Sequence, residues 1–384
     1  MSNEPKKHAR TTVAVLYGGQ STEHSVSCIS AGAVIDHLDP EIYEVVPVGI
    51  TETGAWVPGT TDTTQLRADG REMPRVKDDG VHVQLTFGGS AGSAEGGAGS
   101  AEGGAGSAEG GAGEMRYVTG SQAGEVFAQV DVVFPVLHGM NGEDGTVQGV
   151  LDLAGVRYVG NGVLASAAGM DKDFTKRLAR EAGIPVGEEL ILFQPRELTA
   201  EEKARLGLPV FVKPARGGSS IGISKVDSWV DFDSAVDLAF SHDSKVSVEA
   251  MIHGAEVECG VLQHADGSIV SSVPAMLNGT EDGAEGFYGF DAKYVDSTVS
   301  ATIPAPLPAE TLTEIRQLAI RTFNALGCDG IARVDFFATE NGPVLNEINT
   351  MPGFTPISMY PKMFAADGVS FGDLVSALIA RALA

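Results

Sequence analysis

Cysteine and basic residues are both scarce in this 384-residue chain. The three cysteines, Cys28, Cys259 and Cys328, are too widely spaced to form a disulfide framework or a metal-ligand pattern. Lys and Arg number 26 against 51 Asp and Glu, which gives a formal net charge of −25. Because this acidic excess repels nucleic acid and anionic membranes, we expect neither as a partner.

Long hydrophobic runs are absent as well. No apolar stretch approaches the ~18–20 residues that a membrane-spanning helix needs. The polar residues 1–10 are not followed by the apolar segment of a signal peptide, so we expect a cytoplasmic protein. Hydrophobic residues nevertheless make up 43% of the chain, which is enough to build sizeable cores, and the length indicates more than one domain.

One segment has almost no large apolar side chains. Residues 88–113 contain the sequence GSAEGGA three times in succession, and the seven-residue period has no apolar position that could form a coiled coil. We predict a flexible insertion, because nothing in the repeat can offset the entropy of ordering it. A docking segment is the less favoured alternative.

The order of apolar strands and amphipathic helices predicts three domains of α/β and α+β type. Residues 1–160 would form an α/β domain with a parallel sheet, because the apolar strands Val13–Tyr17 and Val130–Leu137 alternate with helical stretches such as Ser27–Leu38. The insertion would lie within this first domain.

Residues 161–253 and 254–384 would form the second and third domains. In the second, the helix Lys172–Ala182 is followed by glycine and proline, and strands are predicted at 210–213, 221–226 and 246–249. In the third, the strands Ile331–Phe337 and Val344–Ile348 flank an Asn-Gly turn, which is typical of a β-hairpin.

This hairpin carries the most specific candidate site. Arg333 and Asp335 share one face of its first strand, and Glu347 and Asn349 share one face of its second. A three-residue loop, 340–342, would place Asp335 opposite Glu347 and Arg333 opposite Asn349. Two close carboxylates with an amide oxygen suit Mg²⁺. A solvated salt bridge on an exposed hairpin is the alternative.

Two lysines could bind phosphate. Lys213 ends an apolar strand, and the loop Arg216–Ser220 that follows offers backbone N–H groups and hydroxyls that can surround phosphate oxygens. Lys172 lies at the start of a helix. The alternatives are an ordinary glycine-rich hairpin and a surface lysine.

Four acidic or histidine side chains complete the candidates. Glu249 and Glu256 could accept hydrogen bonds from ribose hydroxyls, with the backbone of 250–252 next to an adenine ring, although solvated acids are the alternative. Glu23 precedes a helix start and could hold an ammonium group. His138 follows an apolar strand, where α/β sheets bind ligands, or it has a structural role.

A competing pattern is Gly160-x-Gly162-x-x-Ala165, which matches the dinucleotide-binding fingerprint. The acid expected about 20 residues further on would be Glu181. It lies inside a helical pattern rather than at the end of a strand, so we disfavour this interpretation.

Together these segments resemble the D-alanine–D-alanine ligases of the ATP-grasp superfamily. The matching stretches run in family order and include GGQSTEHSVS, VLHGMNGEDGTVQG, PVFVKPARGGSSIG, ARVDFF and NEINTMPGFTPISMYP. The resemblance implies an N-terminal parallel α/β domain followed by two ATP-grasp domains that clamp the nucleotide.

It also implies ATP-dependent synthesis of D-alanyl-D-alanine through a D-alanyl phosphate, with release of ADP and phosphate, for peptidoglycan and cell-wall formation. A related D-alanine–D-lactate or D-alanine–D-serine ligase is the alternative, and a catalytically silent nucleotide-binding protein is a more distant one. Tyr294 is the residue that would favour D-alanine as the acceptor.

The resemblance further implies a role for each candidate residue. ATP would be bound by Lys172, Lys213, Ser219, Ser220, Glu249, Ala250, Met251, Ile252, Glu256 and Lys293. Two Mg²⁺ ions, for which Mn²⁺ could substitute, would be held by Asp335, Glu347 and Asn349. D-Alanine would be bound by Glu23, His138, Arg333, Gly353 and Ser358. The catalytic set would be Glu23, Ser219, Tyr294, Arg333, Gly353 and Ser358, and the protein would be a homodimer.

Overall fold

The computed structural model describes residues 10–70, 72–87, 111–218, 221–279 and 300–384. Within these ranges the chain has the mixed α/β architecture that the sequence predicts, with helices packed against four β-sheets. The predicted insertion lies outside the described residues except for 111–113. No single helix in the described ranges is long and apolar enough to cross a membrane, and the last two pass that test only as a pair bent by 105°.

The N-terminal part is built on a parallel sheet, as predicted. Its elements in chain order are β1 (Thr11–Gly18), α1 (His24–His37), β2 (Tyr43–Ile50), β3 (Trp56–Pro58), β4 (Val83–Leu85), β5 (Gly113–Tyr117), β6 (Val126–Val130), β7 (Val132–Pro135) and α2 (Thr146–Ala154). Strands β2, β1 and β7 pair in parallel, and β3 adds an antiparallel edge. Strand β1 therefore lies in the middle of the sheet, and its carboxyl end leads directly to the start of α1.

The strand predicted over Val130–Leu137 is confirmed as β7 (Val132–Pro135), but Val130 belongs to a different strand. The chain changes sheets at Asp131: β6 pairs with β5 in a separate three-stranded sheet, whereas β7 pairs with β1. The Asp131 carboxylate accepts the backbone N–H of Thr12 at 2.7 Å, and the Asp131 N–H donates to the Thr12 carbonyl. A continuous apolar run does not reveal this change of partner, because Val130 at the end of β6 and all of β7 are buried.

The central part contains a four-stranded antiparallel sheet. Its elements are α3 (Val163–Met170), α4 (Lys172–Glu181), β8 (Glu189–Leu192), α5 (Ala200–Leu206), β9 (Val210–Pro214), β10 (Ser224–Val226), α6 (Phe232–His242) and β11 (Val246–Ala250). The sheet order is β10-β9-β11-β8. The strand predicted over 221–226 begins only at Ser224. Glu181 is the last residue of α4 and not the end of a strand, which is inconsistent with the dinucleotide fingerprint.

The C-terminal part contains an antiparallel sheet and three helices in its described residues. Its elements are β12 (Ala255–Gln263), β13 (Ile269–Ser271), β14 (Ala275–Asn278), β15 (Ser300–Thr302), α7 (Ala309–Ala325), β16 (Ile331–Thr339), β17 (Gly342–Asn349), α8 (Met359–Ala366) and α9 (Phe371–Leu383). The sheet order is β15-β14-β12-β16-β17, and β13 pairs with β12. Helix α7 buries Ile315, Leu318 and Phe323 against this sheet.

The hairpin of β16 and β17 has the predicted pairing at the site but a different turn. Asp335 lies opposite Glu347 and Arg333 opposite Asn349, as predicted. The predicted three-residue loop is wrong, because Thr339 pairs with Gly342 and leaves a two-residue loop. A β-bulge supplies the missing one-residue shift: Phe336 pairs with Leu345, Asp335 pairs with Glu347, and the residue between them on β17 is extra.

One hydrophobic core connects the two ends of the chain. It contains Val13 and Val15 of β1, Val34 of α1, and Leu374 and Leu378 of α9. Helix α9 therefore packs on the N-terminal sheet, although it begins more than 350 residues after β1 ends. This packing brings the loop after β17 against α1, where the Phe354 N–H donates to Ser30 Oγ.

Candidate active site

A single pocket of about 640 Å³ is lined by every described residue to which the family resemblance assigns a role. It lies where the start of α1, the loop after β9 and the β16–β17 hairpin meet. The candidates that line it are Glu23, His138, Lys172, Lys213, Glu249, Ala250, Met251, Ile252, Glu256, Arg333, Asp335, Glu347, Asn349, Gly353 and Ser358. Ser219, Ser220, Lys293 and Tyr294 lie outside the described residues.

The hairpin end of the pocket carries the predicted carboxylate pair. Arg333 donates to Asp335 through Nε at 2.8 Å and Nη2 at 2.6 Å, and Asn349 Nδ2 donates to Asp335 at 3.1 Å. The Glu347 carboxylate lies 3.3 Å from Lys172 Nζ. Among the described residues no three His, Cys, Asp or Glu side chains converge as a metal cage. Two carboxylates and an amide fit Mg²⁺, which takes few protein ligands and completes its shell with phosphate oxygens and water.

Sequence reasoning missed Glu258, which borders the same patch. Glu258 pairs with Asp335 across β12 and β16, and its carboxylate lies 3.4 Å from Arg333 Nη2. Burial alone would lower the pKa of the Arg333 guanidinium, but Asp335 and Glu258 raise it well above its usual value. The sequence did contain a signal for Glu258. It lies two residues after the candidate Glu256 on one strand, so the two side chains share a face.

A second missed residue, Lys176, organises the phosphate end of the pocket. The Glu249 carboxylate lies 2.8 Å from Lys213 Nζ and 2.7 Å from Lys176 Nζ, and Ser247 donates to it at 3.0 Å. Burial would raise the pKa of Glu249, but the two lysine charges hold it well below its usual range. Glu249 therefore holds Lys213 in place, a contact that the sequence did not predict.

The predicted adenine-binding backbone is already partly engaged. The N–H of Ala250 donates to the Glu188 carbonyl at 3.0 Å, and the N–H of Met251 donates to the Pro209 carbonyl at 3.1 Å. These two N–H groups are not available to an adenine ring. Recognition along 250–252 would have to use other backbone groups of the segment, next to the apolar lining from Leu277 and Phe337.

The part of the pocket beside the start of α1 contains acidic groups around Glu23. A Cβ atom on Gly139 would lie 2.9 Å from Glu23 Oε2, and one on Gly218 would lie 3.6 Å from the same atom. The glycine-rich loop after β9 therefore approaches the start of α1. Burial lowers the pKa of His138, which is held neutral even though the negative charge of Glu23 opposes this shift.

Glu143 is a third residue that sequence reasoning missed. Its carboxyl accepts the backbone N–H of Gly139 at 2.6 Å and that of Met351 at 3.3 Å. Burial raises the pKa of Glu143 to about 8, and repulsion from Glu23 adds to the shift. The residue lies in the quoted stretch LHGMNGEDGT, but no local pattern indicates its contact with a residue more than 200 positions away.

Gly353 and Ser358 lie together beyond the hairpin. A Cβ on Gly353 would come within 2.7 Å of Ser358 Oγ, so only glycine allows this close approach. Ser358 Oγ accepts the Thr355 N–H at 3.0 Å and is 2.7 Å from the Thr355 hydroxyl. Both residues line the pocket.

Comparison with known proteins places the chain in a family. A family model described as the D-Ala D-Ala ligase N-terminus matches residues 12–161, and one described as the D-Ala D-Ala ligase C-terminus matches residues 178–380. A D-alanine–D-alanine ligase of Corynebacterium jeikeium is 91% identical over 384 residues, which is 100% of both chains.

Solved structures agree with this assignment. The VanG D-Ala:D-Ser ligase of Enterococcus faecalis superposes with a TM-score of 0.78 at 34% identity, covering 97% of this chain and 100% of that one. The D-alanine–D-alanine ligase of Coxiella burnetii gives 0.77 at 32% identity, with 97% and 94% covered. These neighbours share the ATP-grasp fold. The chain belongs to the D-alanine–D-alanine ligase family.

Proposed function

We propose that this protein joins two D-alanine molecules to D-alanyl-D-alanine, with ATP as the energy source, for peptidoglycan precursor synthesis. The observation that carries the proposal is the convergence in one pocket of two lysines, a pair of facing carboxylates and Glu23. Such a pocket can hold a phosphate chain, a divalent cation and an ammonium group side by side.

The first half of the reaction would occur at the phosphate end. The carboxylate of one D-alanine attacks the γ-phosphate of ATP, giving a D-alanyl phosphate and ADP. Lys213 and Lys172 neutralise phosphate charge, and Glu249 with Lys176 keeps Lys213 in place. Glu23 would hold the ammonium of this first D-alanine, with Ser219 and Ser220 on the phosphates.

Divalent ions would bind at the hairpin. Asp335, Glu347 and Asn349 present hard oxygen donors on one face, and we propose that they hold two Mg²⁺, with Mn²⁺ able to substitute. When bound, the ions neutralise charge on the transferred phosphoryl group. Arg333 and Lys172 balance the same carboxylates in this structure.

The second half would occur beside Gly353. The amine of the second D-alanine attacks the acyl carbon, and phosphate leaves. Arg333, Gly353 and Ser358 would face the acceptor and the developing oxyanion. Lys293 would bind ATP, and Tyr294 would act at the closed site. Water must be excluded during this step, because it would hydrolyse the acyl phosphate.

D-Alanine is the acceptor that we propose. The relative from Enterococcus faecalis uses D-serine according to its name, but the far more similar relative from Corynebacterium jeikeium is named for D-alanine. Tyr294 supports the same choice, because its neutral phenol adds no positive charge that would favour a hydroxy acid such as D-lactate.

Assembly and location are further parts of the proposal. Met140, Leu153 and Leu164 are exposed apolar side chains on and around α2 and α3, and such a surface suits a homodimer contact. The measurement is light scattering of the intact chain and of Leu153→Glu.

We propose a cytoplasmic site of action because the reaction consumes ATP, and no nucleic-acid partner because the chain is strongly acidic.

The test is product analysis with ATP, Mg²⁺ and D-alanine as the only amino acid. Mass spectrometry should detect D-alanyl-D-alanine and ADP in equal amounts. AMP with pyrophosphate, or phosphate release without a dipeptide, contradicts the proposal. A competition among D-alanine, D-serine and D-lactate identifies the acceptor, and a depsipeptide or a D-serine product as the main one at neutral pH contradicts the choice of D-alanine.

Glu347→Gln tests the metal site. It should lose turnover while keeping its fold, because one of the two carboxylate ligands is gone but the pairing of β16 with β17 remains. Glu340→Gln, an exposed acid in the loop of the same hairpin, is the matched control and should keep activity. An unchanged Mg²⁺ dependence in Glu347→Gln contradicts the assigned role.

A further inference from the structure

Side chains from the N-terminal half of the chain hold the loop 350–354, which carries Gly353. His138 Nδ1 lies 3.2 Å from the Met351 carbonyl, and the Phe354 N–H donates to Ser30 Oγ at 3.3 Å. Glu143 accepts the Met351 N–H at 3.3 Å. These three hydrogen bonds come from parts of the chain that precede the loop by more than 200 residues.

Asn161 holds the start of the same loop. Its Nδ2 donates to the Thr350 carbonyl at 2.6 Å and to the Ile331 carbonyl at 2.7 Å, and its Oδ1 accepts the Asp329 N–H at 2.8 Å. Asn161 is buried, so each of these bonds is made without competition from water. Both ends of the loop are thus fixed by side chains outside it.

Ser30 and His138 form a chain of hydrogen bonds with a defined direction. A carbonyl can only accept, so His138 must carry its proton on Nδ1 to bond to Met351. The neutral ring then has an accepting Nε2, which lies 3.0 Å from Ser30 Oγ. Ser30 donates its hydroxyl hydrogen to that nitrogen, and its oxygen accepts the Phe354 N–H.

The position of Ser30 in α1 gives this chain a link to the first substrate. Ser30 lies seven residues after Glu23, and Ser27 lies between them, so all three share one face of the helix. Ser30 is fully buried, and its hydroxyl serves the loop and the imidazole at the same time. Both ring nitrogens of His138 are bonded to the protein, so the ring can influence the acceptor side by fixing Met351.

We propose that Ser30 is a positioning residue for the second half-reaction. By donating to His138 and accepting from Phe354, it fixes the loop 350–354 and with it the place of Gly353 beside the acceptor. This inference rests on the proposed function. It assigns Ser30 no contact with substrate, and it leaves the phosphate end with Lys213 and Glu249 unaffected.

Removing the hydroxyl should uncouple the two half-reactions. In Ser30→Ala, the Phe354 N–H and His138 Nε2 lose a buried partner, and the loop is free to shift. The D-alanyl phosphate still forms, but the second amine attacks it more slowly. Water then attacks the acyl carbon, phosphate leaves and D-alanine is regenerated, so ATP is hydrolysed without a dipeptide.

The experiment measures phosphate and dipeptide together in Ser30→Ala, Ser27→Ala and the unaltered protein. Ser27 is the matched control, since it is equally buried on the same helix but bonds to Gly18 and Val136 instead of the loop. We expect a phosphate-to-dipeptide ratio near one for the unaltered protein and Ser27→Ala. For Ser30→Ala we expect a ratio above about two, a raised KM for the acceptor D-alanine and a KM for ATP within about twofold.

The outcomes separate the inference from the proposed function. A ratio of one in Ser30→Ala, with only Vmax or thermal stability reduced as in Ser27→Ala, overturns the positioning role. An unaltered protein that makes no dipeptide overturns the proposed function instead. A second measurement does not depend on the variant: ¹⁵N NMR of the unaltered protein should show His138 protonated at Nδ1. Protonation at Nε2 overturns the hydrogen-bond chain whatever the variant does.

Discussion

At the scale of single residues, Lys176 determines how the phosphate end of the pocket is held. It is almost fully buried, and its ammonium lies between Glu249 at 2.7 Å and Glu189 at 3.4 Å. Glu249 in turn holds Lys213 at 2.8 Å. Lys213 would neutralise the charge of the ATP phosphates. Lys176, which would not contact the phosphates itself, therefore fixes the position of a lysine that would.

Lys176→Met should therefore weaken ATP binding. Glu249 would retain only Lys213 as a cationic partner, and the lysine would be drawn further toward the carboxylate and away from the nucleotide. Breaking a buried ion pair also costs on the order of 3–5 kcal/mol of stability. We expect the KM for ATP to rise by about tenfold or more while the KM for D-alanine changes little, as measured by initial rates on the folded fraction.

Lys203→Met is the matched control for this change. Lys203 also lies on a helix of the central part, but its ammonium is over the ring of Trp229, away from the pocket. Its ATP KM should equal that of the unaltered protein. An unchanged KM for ATP in Lys176→Met would show that Lys213 keeps its position without the ion pair between Lys176 and Glu249.

Glu143 gives a prediction about pH. Burial raises its pKa to about 8, with Glu23 adding to the shift and Arg333 and the two backbone N–H donors opposing it. In the unfolded chain the carboxyl loses its proton near pH 4.5, the ordinary pKa of a glutamate. Between about pH 4.5 and 8 the folded state keeps a proton that the unfolded state has lost, so this residue lowers the free energy of unfolding as pH rises.

Glu143→Gln removes this titration. The free energy of unfolding of the variant also differs from that of the unaltered protein by an amount that does not depend on pH, because an amide cannot accept both N–H bonds equally well. The difference in unfolding free energy, unaltered protein minus variant, should fall steadily from about pH 5 to about pH 8 and then level off. Urea denaturation at several pH values measures it. A difference that stays constant across this range would mean that Glu143 is ionised in the folded state.

At the scale of elements, the strands and helices that the sequence predicted lie on or close to observed elements, but the sequence did not predict how they are joined. The strand at 13–17 and the helix at 172–182 lie within one to two residues of β1 and α4. The sequence also contained the signal for the bulge. Leu345 and Ile348 are both buried but three residues apart, an odd spacing that a regular strand cannot bury on one face.

Long-range contacts explain the residues that sequence reasoning missed. Arg333 and Asp335 could be predicted as neighbours because alternation on one strand places them on one face. Ser30, Glu143 and Lys176 could not, because their partners are distant in sequence and only the packed core brings them close. Local patterns therefore predicted several of the residues that line the pocket, but they missed Glu143 and Glu258, which also line it, and the buried Ser30 and Lys176 that support it.

The bulge leads to a prediction about two single-residue deletions in β17. Deleting Asn346, the extra residue, leaves Asp335 opposite Glu347 and keeps Leu345 in the core, so the fold should retain its stability within about 1 kcal/mol. Deleting Val344 shortens the strand equally but turns Leu345 out of the core, which should cost about 2–5 kcal/mol. Thermal and urea unfolding compare the two variants. Equal losses of stability in the two deletion variants would mean that the extra residue of the bulge is itself needed to hold β17 in the sheet.

At the scale of the whole molecule, the shared core explains how distant segments form one site. Helix α9 buries Leu374, Val375 and Leu378 against β1, α1 and β7, so the end of the chain packs on its beginning. The aromatic ring of Phe354 joins the same core, packing edge-on against Phe134 at 5.9 Å between centroids. The loop 350–354 is therefore anchored in the N-terminal part by apolar contacts as well as by hydrogen bonds.

The predicted insertion is attached to this framework at a point that limits its influence. Strands β4 and β5 flank it and pair antiparallel, with Leu85 opposite Met115 and the Thr86 N–H donating to the Glu114 carbonyl at 2.9 Å. Its two ends are thus already side by side, and a short connection can join them. Gly111 belongs to the framework, because its N–H donates to the Gly155 carbonyl at 3.0 Å.

Deleting residues 92–110 should accordingly leave kcat and both KM values within about twofold. The connection shrinks from 88–110 to 88–91, more than two halvings of its length, and at about 0.6 kcal/mol each this should stabilise the fold by roughly 1–2 kcal/mol. A longer deletion, 92–113, is the control: it removes Gly111 and Gly113, whose Cβ position lies 2.5 Å from Val156, and it should reduce stability. Loss of activity in the shorter deletion, with the fold intact by circular dichroism, would favour the docking segment, since the strands that it joins are already paired without it.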